Sequence, residues 1–337
     1  MQALLDGIAK KRFVVFGRAG MDMYADPPGV KSEDAETFKS GLGGSSANIS
    51  VGLCKFGSEA SLVTSVSDDA VGRYCLNQLR NYGVDATHVR SVGGEFRNSL
   101  AVYESVLENF QNVIYRNGAA DFQVTVEDVD PINLSQFGAL VTAGTVFAAE
   151  PSRSATFHAF EKAKAAKLPI IFDIDYRPYS WPSPEVAADV LSRAGAASDM
   201  IVGNDEEFGF MAGGIEKGLA KARELAETTA SIVIYKMGEG GAVTFAGGNE
   251  IRTGIYPVDA VKPNGAGDSF MAGLLSGLAA GQSLRDSVLR GSACAAIVVS
   301  RPGCAGAMPD EPDLQSFLEA HPGPTEVKED RHAHSAI

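Results

Sequence analysis

The chain of 337 residues is 45% hydrophobic and 21% charged, enough apolar material to pack one large domain or two ordinary ones. Against 29 Lys and Arg stand 42 Asp and Glu, a net charge of −13 that repels phosphate backbones and excludes nucleic acid as an expected partner. No apolar run approaches the ~20 residues a bilayer requires, and Asp6 with the basic pair Lys10 and Lys11 interrupts any signal-like core, so a soluble, cytoplasmic protein is expected, with no membrane partner.

In chain order, "RFVVFG" (12–17) is apolar and closed by glycine, which predicts a buried strand. "GLGGSSANISVGLCKFG" (41–57) predicts a glycine turn followed by a helix with Ala47, Val51 and Cys54 on one face. "SLVTSVS" predicts a second strand. Beyond it Val71, Cys75, Leu79 and Tyr82 define a helical face, with Asp68 or Asp69 as the cap. Residues 97–117 predict a β-hairpin around a polar turn at 108–112.

From there the pattern alternates. Apolar strands at 139–147, 169–176, 199–204 and 231–238 are separated by helical stretches at 152–167, 184–197 and 215–229. This predicts an α/β fold, a mostly parallel sheet covered by helices on both faces. "GAVTFAGG" and "EIRTGIYPV" predict an edge hairpin, and 268–281, 283–300 and 311–320 predict helices. The polar, aperiodic 322–337 reads as a disordered tail. Residues 1–321 thus form one α/β domain, with early β segments at about 18–42 and 95–117 free to build a separate small sheet.

Several chemistries can be excluded. There is no G-x-x-x-x-G-K-[ST] loop, no complete G-x-G-x-x-G and no G-x-S-x-G elbow. Cys54, Cys75, Cys294 and Cys304 form no C-x-x-C pair, and the five His are scattered, so reduced cysteines and no zinc site are expected.

What remains is "KPNGAGDSFMAGLLSGL" (262–278). Small residues at Gly265, Ala266 and Gly267 let backbone N–H groups converge, and a helix from about 268 adds its positive end, together an anion hole. Asp268 at its mouth suits a base that removes a hydroxyl proton while the amides hold charge on a transferring phosphoryl group. The competing explanation is a helix cap on a helix whose Gly273, Gly277 and Gly281 pack against a neighbour.

Other strand ends carry polar residues. Gly43 and Gly44 bring backbone close to a polyol, with Asn48 available to its hydroxyls, and Asp22 could grip two of them. Asn204 and Glu207 could order Mg²⁺ through water, and Lys236 with nearby glycines suits nucleotide phosphate. Taken singly, each is better explained by surface-loop chemistry; all of them at the ends of strands in one sheet is harder to dismiss.

The chain resembles the PfkB, or ribokinase-like, carbohydrate kinases over roughly 12–312. "GGSSANISVGLCKFG" matches the family's N-terminal signature and "NGAGDSFMAGLLSGL" its C-terminal one. The resemblance implies a Rossmann-like α/β domain with a β-sheet lid over the sugar, and ATP with Mg²⁺. By motif it implies Asp268 as base and Gly265–Gly267 as anion hole. Asn204 and Glu207 then match the N-x-x-E motif. Lys236, Gly238 and Gly241 fall on the nucleotide side, and Asp22, Gly43, Gly44 and Asn48 on the sugar side. Relatives often dimerise through the lid, which makes a homodimer the expected assembly.

One departure stands out: Lys262, Pro263 and Asn264 replace a D-T-T whose Asp helps bind a monovalent cation in many relatives. Either a lysine ammonium replaces that cation or the site is absent. "FDIDYRPYSW" (172–181) resembles kinases of keto-deoxy sugar acids such as 2-dehydro-3-deoxygluconate. "GRAGMDMYAD" and "YRNGAAD" resemble members acting on 5-dehydro-2-deoxygluconate. An acid substrate needs a cation, for which Arg18, Arg116 and Arg177 are the candidates, though Arg177 could instead pair with Asp175. A neutral-sugar kinase of the fructokinase or ribokinase type shares every catalytic feature. A nucleoside kinase would stack a base on lid aromatics, among them Tyr103, Phe110 and Tyr115. A sugar or nucleotide sensor on the same fold is the non-enzyme alternative.

Overall fold

The computed structural model describes residues 1–104 and 111–326. A nine-stranded sheet is built from β1 (Arg12–Phe16), β4 (Glu59–Ser67), β5 (Val89–Val92), β8 (Ala139–Ala143), β9 (Ile170–Asp173), β10 (Met200–Asn204), β11 (Ile232–Lys236), β12 (Ala242–Ala246) and β13 (Asn249–Thr253). Its spatial order is β13-β12-β11-β10-β9-β8-β1-β4-β5. All pairs are parallel except β11–β12 and β12–β13, the edge hairpin. A second, four-stranded sheet runs β3 (Thr37–Gly43), β2 (Gly20–Asp26), β6 (Leu100–Tyr103), β7 (Asn112–Tyr115). The predicted hairpin is the β6–β7 pair; Phe110, Ser105, Val106 and most of its polar turn lie outside the described residues.

The helices are α1 (Gln2–Ile8), α2 (Ser45–Lys55), α3 (Ala70–Asn81), α4 (Val126–Val129), α5 (Ser152–Ala165), α6 (Pro184–Ala196), α7 (Asp205–Ala212), α8 (Gly218–Thr228), α9 (Ala266–Ala279), α10 (Leu284–Val299) and α11 (Glu311–Ala320). The period-2 geometry of strands explains how they cover the sheet. In β1, Phe13 and Val15 point into a core with residues of α2 and α9, while Val14 and Phe16 point to the opposite core with residues of α5, α6 and α8. Because both faces are covered, these strands read as continuous apolar runs rather than alternating ones.

Several local details differ from expectation. Gly41–Gly43 end β3 instead of forming a turn; only Gly44, at φ 101°, turns the chain into α2. The 199–204 strand is followed by α7, which the acid-rich "NDEE" masked as a loop. Asn204 caps it, and Glu207 returns a bond to the Asn204 N–H, a capping box. Asp69, not Asp68, caps α3, accepting from the Val71 and Gly72 amides. Helix α9 starts at Ala266, two residues early, so Asp268 lies in its first turn. Of the supposed tail, Thr325 pairs with Ile255 across Gly254, where a Cβ would meet the Thr325 carbonyl oxygen at 2.0 Å; residues 327–337 lie outside the described residues.

Between β1 and β8 the strand order reverses, since β4 and β5 follow β1 on one side and β8 to β13 add on the other. The carboxyl ends of strands on either side of such a switch leave a crevice. The smaller sheet stands beside it, joined to the large one where β1 runs through Arg18 into β2.

Candidate active site

The crevice is a cavity of about 570 Å³. Asp268, Gly265, Ala266 and Gly267 line it from the head of α9. Arg18, Asp22, Gly44, Asn48, Tyr103 and Arg116 line it from the smaller sheet and the start of α2. Arg177, Asn204, Glu207, Lys236, Gly238 and Gly241 line it from the ends of β9, β10 and β11. Of the residues assigned from sequence to catalysis, substrate or nucleotide, Gly43 is the one that lies behind the wall. A Cβ there would come within 2.0 Å of the Asp22 carboxylate, so Gly43 is the space in which that acid sits.

Gly265 holds φ +84°, a left-handed conformation that glycine adopts without steric cost. It turns the chain so that the first amides of α9, which have no partner within the helix, face the cavity together with the helix's positive end. No side chain caps this helix. The Asp268 carboxylate instead accepts a 2.8 Å hydrogen bond from Asn48 Nδ2, 220 positions away, so the capping explanation lacks its bond. The glycine packing proposed with it is real at two of the three positions. Gly273 and Gly277 approach α10, where a Cβ would meet Cys294 and Ser287 at 2.7 and 2.9 Å, whereas Gly281 ends the helix at φ +76°.

The electrostatics follow from crowding. Burial, and then the charge of Asp175, push the Asp268 carboxyl up to about 7 against the Asn48 hydrogen bond and the charges of Arg177 and Arg18. Asp173, at the end of β9, is pushed up to about 8 by burial, with Lys236 opposing and Glu207, Asp175 and Asp268 adding. Burial also disfavours charge on Asp175, but Arg177 at 2.7 Å, the Ser45 hydroxyl at 2.5 Å and the more distant Arg18 outweigh it and hold this carboxyl below the usual range. Asp22 is raised to about 6 by burial, with Arg18 and the Tyr24 hydroxyl opposing.

Five polar atoms of cavity-lining residues have no partner among the described residues: Asp22 Oδ1, Asn48 Oδ1, Thr145 Oγ1, Ser180 Oγ and Asn264 Nδ2. Buried polar atoms are seldom left unpaired. Two acceptors, two hydroxyls and an amide donor are the complement of a polyhydroxylated ligand.

Glu207 Oε1 and Oε2 accept the Tyr176 and Asn204 amides, and Asn204 Oδ1 accepts the Glu207 amide. Each oxygen keeps a lone pair for a water, which fits a hydrated divalent ion. No cluster of three or more His, Cys, Asp or Glu arranged to hold a metal directly occurs among the described residues. Lys262 is buried, with Nζ donating to the Asn264 carbonyl at 2.6 Å, and burial lowers its pKa.

Sequence reasoning did not single out Asp173, Ser45, Tyr24 or Cys304 for this site. Asp173 is the one a strand-end rule could have found, as the last residue of an apolar run facing the crevice. Tyr24 and Cys304 meet at 3.3 Å only through folding, 280 positions apart.

An open α/β sheet with a helix head and a buried carboxylate at its switch point has the crevice in which such folds bind small molecules. The pattern described as pfkB family carbohydrate kinase matches residues 10–311, and the chain belongs to that family. It is therefore a sugar kinase. It is 37% identical over 311 residues to a 5-dehydro-2-deoxygluconokinase of Photobacterium profundum, covering 91% of this chain and 94% of that protein. Among solved structures, a PfkB protein from Polaromonas superposes with a TM-score of 0.78 at 26% identity, covering 88% of this chain and 98% of the other. A fructokinase from Xylella fastidiosa with bound ATP superposes at 0.80 and 22%, covering 92% and 98%. The fold is the ribokinase-like arrangement expected, a mostly parallel sheet between helices with a smaller sheet beside it.

Proposed function

We propose that the chain transfers the γ-phosphoryl group of ATP to the terminal hydroxyl of a keto-deoxy sugar acid, with 5-dehydro-2-deoxygluconate as the first candidate. The observation that carries the reading is the Asp268 carboxylate, held by Asn48 at the first turn of α9 beside the left-handed Gly265. The 37% identity to the Photobacterium 5-dehydro-2-deoxygluconokinase supports the substrate, and the ATP-bound fructokinase on the same fold supports the nucleotide.

In this reading Asp268 takes the proton of the attacking hydroxyl as the new O–P bond forms and ADP leaves. The amides of 265–267 face the charge that accumulates on the transferring group. Asp22 and Asn48 accept from substrate hydroxyls through the oxygens that lack partners, Gly44 lets backbone approach, and Tyr103 closes the wall. Lys236, Gly238 and Gly241 serve the nucleotide side. Asn204 and Glu207 hold waters around Mg²⁺, which, when bound, neutralises phosphate charge. Residues 1–321 act as one cytoplasmic kinase unit. Its small sheet is the lid and its clasp to a second copy. In the strand register Met21, Leu100 and Tyr115 share a row, as do Met23, Val102 and Val113, and Tyr115 and Val113 are 62% and 48% exposed.

Lys262 carries a fixed positive charge on the loop before the anion hole. Turnover is therefore expected to be the same in potassium chloride as in choline chloride, measured at constant ionic strength. A strict potassium requirement would show that the ammonium does not replace a monovalent ion.

The function is tested by ADP release with ATP and Mg²⁺ across 5-dehydro-2-deoxygluconate, 2-dehydro-3-deoxygluconate, fructose, ribose and adenosine. Turnover of the first alone is the expected result. Turnover of the second alone keeps the acid class and changes the name. Preference for fructose or ribose overturns the acid reading, and ATP binding with no turnover of any favours a sensor.

A further inference from the structure

The three candidate arginines differ in what they already hold. Arg116 is 5% exposed and gives Nε and Nη2 to Asp121 at 3.1 and 2.5 Å, with its guanidinium 4.1 Å from the centre of the Phe122 ring. Its fork is filled by a carboxylate of its own chain. Arg177 sits 2.7 Å from Asp175 and donates Nη1 to the Tyr176 carbonyl, and its side chain is 48% exposed. Asp175 is in turn held by the Ser45 hydroxyl, so that pair is one fixed unit of the wall.

Arg18 is different. It is 8% exposed, yet its one hydrogen bond is Nη1 to the Ser99 hydroxyl at 3.1 Å, and it belongs to no ion pair among the described residues. A guanidinium has five N–H donors in a planar fork. A buried one with a single neutral hydrogen-bond partner leaves most of those donors unfilled, even though the nearby Asp22 and Asp121 charges favour its ionised form. The side chain lines the cavity, near the Asp22 and Tyr103 side chains, across from the head of α9. Gly20 leaves room for Nη1, which a Cβ there would meet at 3.0 Å, and the Arg18 carbonyl accepts the Ala47 amide at the start of α2.

We infer that Arg18 is the specificity-determining residue that receives the substrate's carboxylate, as a charge-assisted fork, while Arg116 and Arg177 build the wall. The inference rests on the sugar-acid reading above and deepens it. It also orients the substrate. The carboxylate lies at the Arg18 side, beneath the small sheet, and the reacting hydroxyl at the far end of the carbon chain lies at Asp268.

The test compares 5-dehydro-2-deoxygluconate with the neutral alcohol obtained by reducing its carboxylate, which keeps the reacting hydroxyl and every other group. kcat/KM for both, and the Kd of the acid without nucleotide, are measured for wild type, Arg18→Met, Arg18→Lys and Arg177→Met. Wild type is expected to prefer the acid by roughly 100-fold, the scale of a charge-assisted pair. Arg18→Met should collapse that ratio and weaken acid binding by a similar factor, with Arg18→Lys recovering part of it and Arg177→Met leaving the ratio in place. If Arg18→Met lowers both substrates equally, or if Arg177→Met is the variant that collapses the ratio, the assignment of Arg18 is overturned while the acid reading stands. If wild type shows no preference for the acid, the acid reading has failed first, and the role of Arg18 falls with it.

Discussion

Asp268→Asn is expected to lower kcat by roughly 10²- to 10⁴-fold, the range of one positioned general base, while ATP binds as in wild type. Asn and Asp have the same shape, so Asn48 and the head of α9 keep their places, and only the ability to take a proton is lost. The pH profile supplies an independent check. Burial and the neighbouring Asp175 raise the Asp268 carboxyl to about 7, so the free enzyme holds it protonated at low pH. The base form grows as pH rises through that value. kcat/KM should therefore climb on the acid limb near pH 7, and the limb should vanish from the residual activity of Asp268→Asn. Full turnover in the variant, measured by coupled ADP release with nucleotide affinity determined separately, would remove Asp268 from the chemistry.

Arg116→Met should cost stability more than activity. The Arg116–Asp121 pair is almost completely buried, at 5% and 2% side-chain exposure, and the Phe122 ring covers the guanidinium. Removing the cation strands the Asp121 carboxylate, one oxygen of which already has no hydrogen-bond partner. Breaking a buried pair from one side costs about 3–5 kcal/mol. Replacing both partners by apolar residues removes the stranded charge, so Arg116→Met with Asp121→Leu should recover much of the loss. Urea unfolding of the two single variants and the double gives the comparison. If Arg116→Met unfolds like wild type yet loses affinity for an acid substrate, Arg116 belongs to the binding fork and not to the wall.

These two residues mark how far the chain could be read without its fold. Asp268 and its glycines were legible because their chemistry is local. A left-handed Gly265, small neighbours and a helix start lie within four consecutive residues, and the free amides at a helix head follow from backbone geometry alone. The sheet was legible for a related reason, since strands buried on both faces must be apolar at every position. The small sheet was legible as early β segments and a hairpin, but β5, at the edge of the large sheet, was not: Arg90 and Ser91 are exposed and no hydrophobic period announces it.

By itself the sequence determined the α/β class, the family and the glycine-flanked helix head with Asp268 in its first turn, because each depends on residues close together in the chain or on patterns of burial. Only the tertiary structure decided which arginine is left to a ligand. Arg116 and Arg177 have carboxylates five and two positions away, whereas the surroundings of Arg18 come from Ser99, Asp22 and the cavity wall. A side chain's free donors are what remains after the fold has brought every competing partner to it, and that subtraction has no counterpart in one dimension.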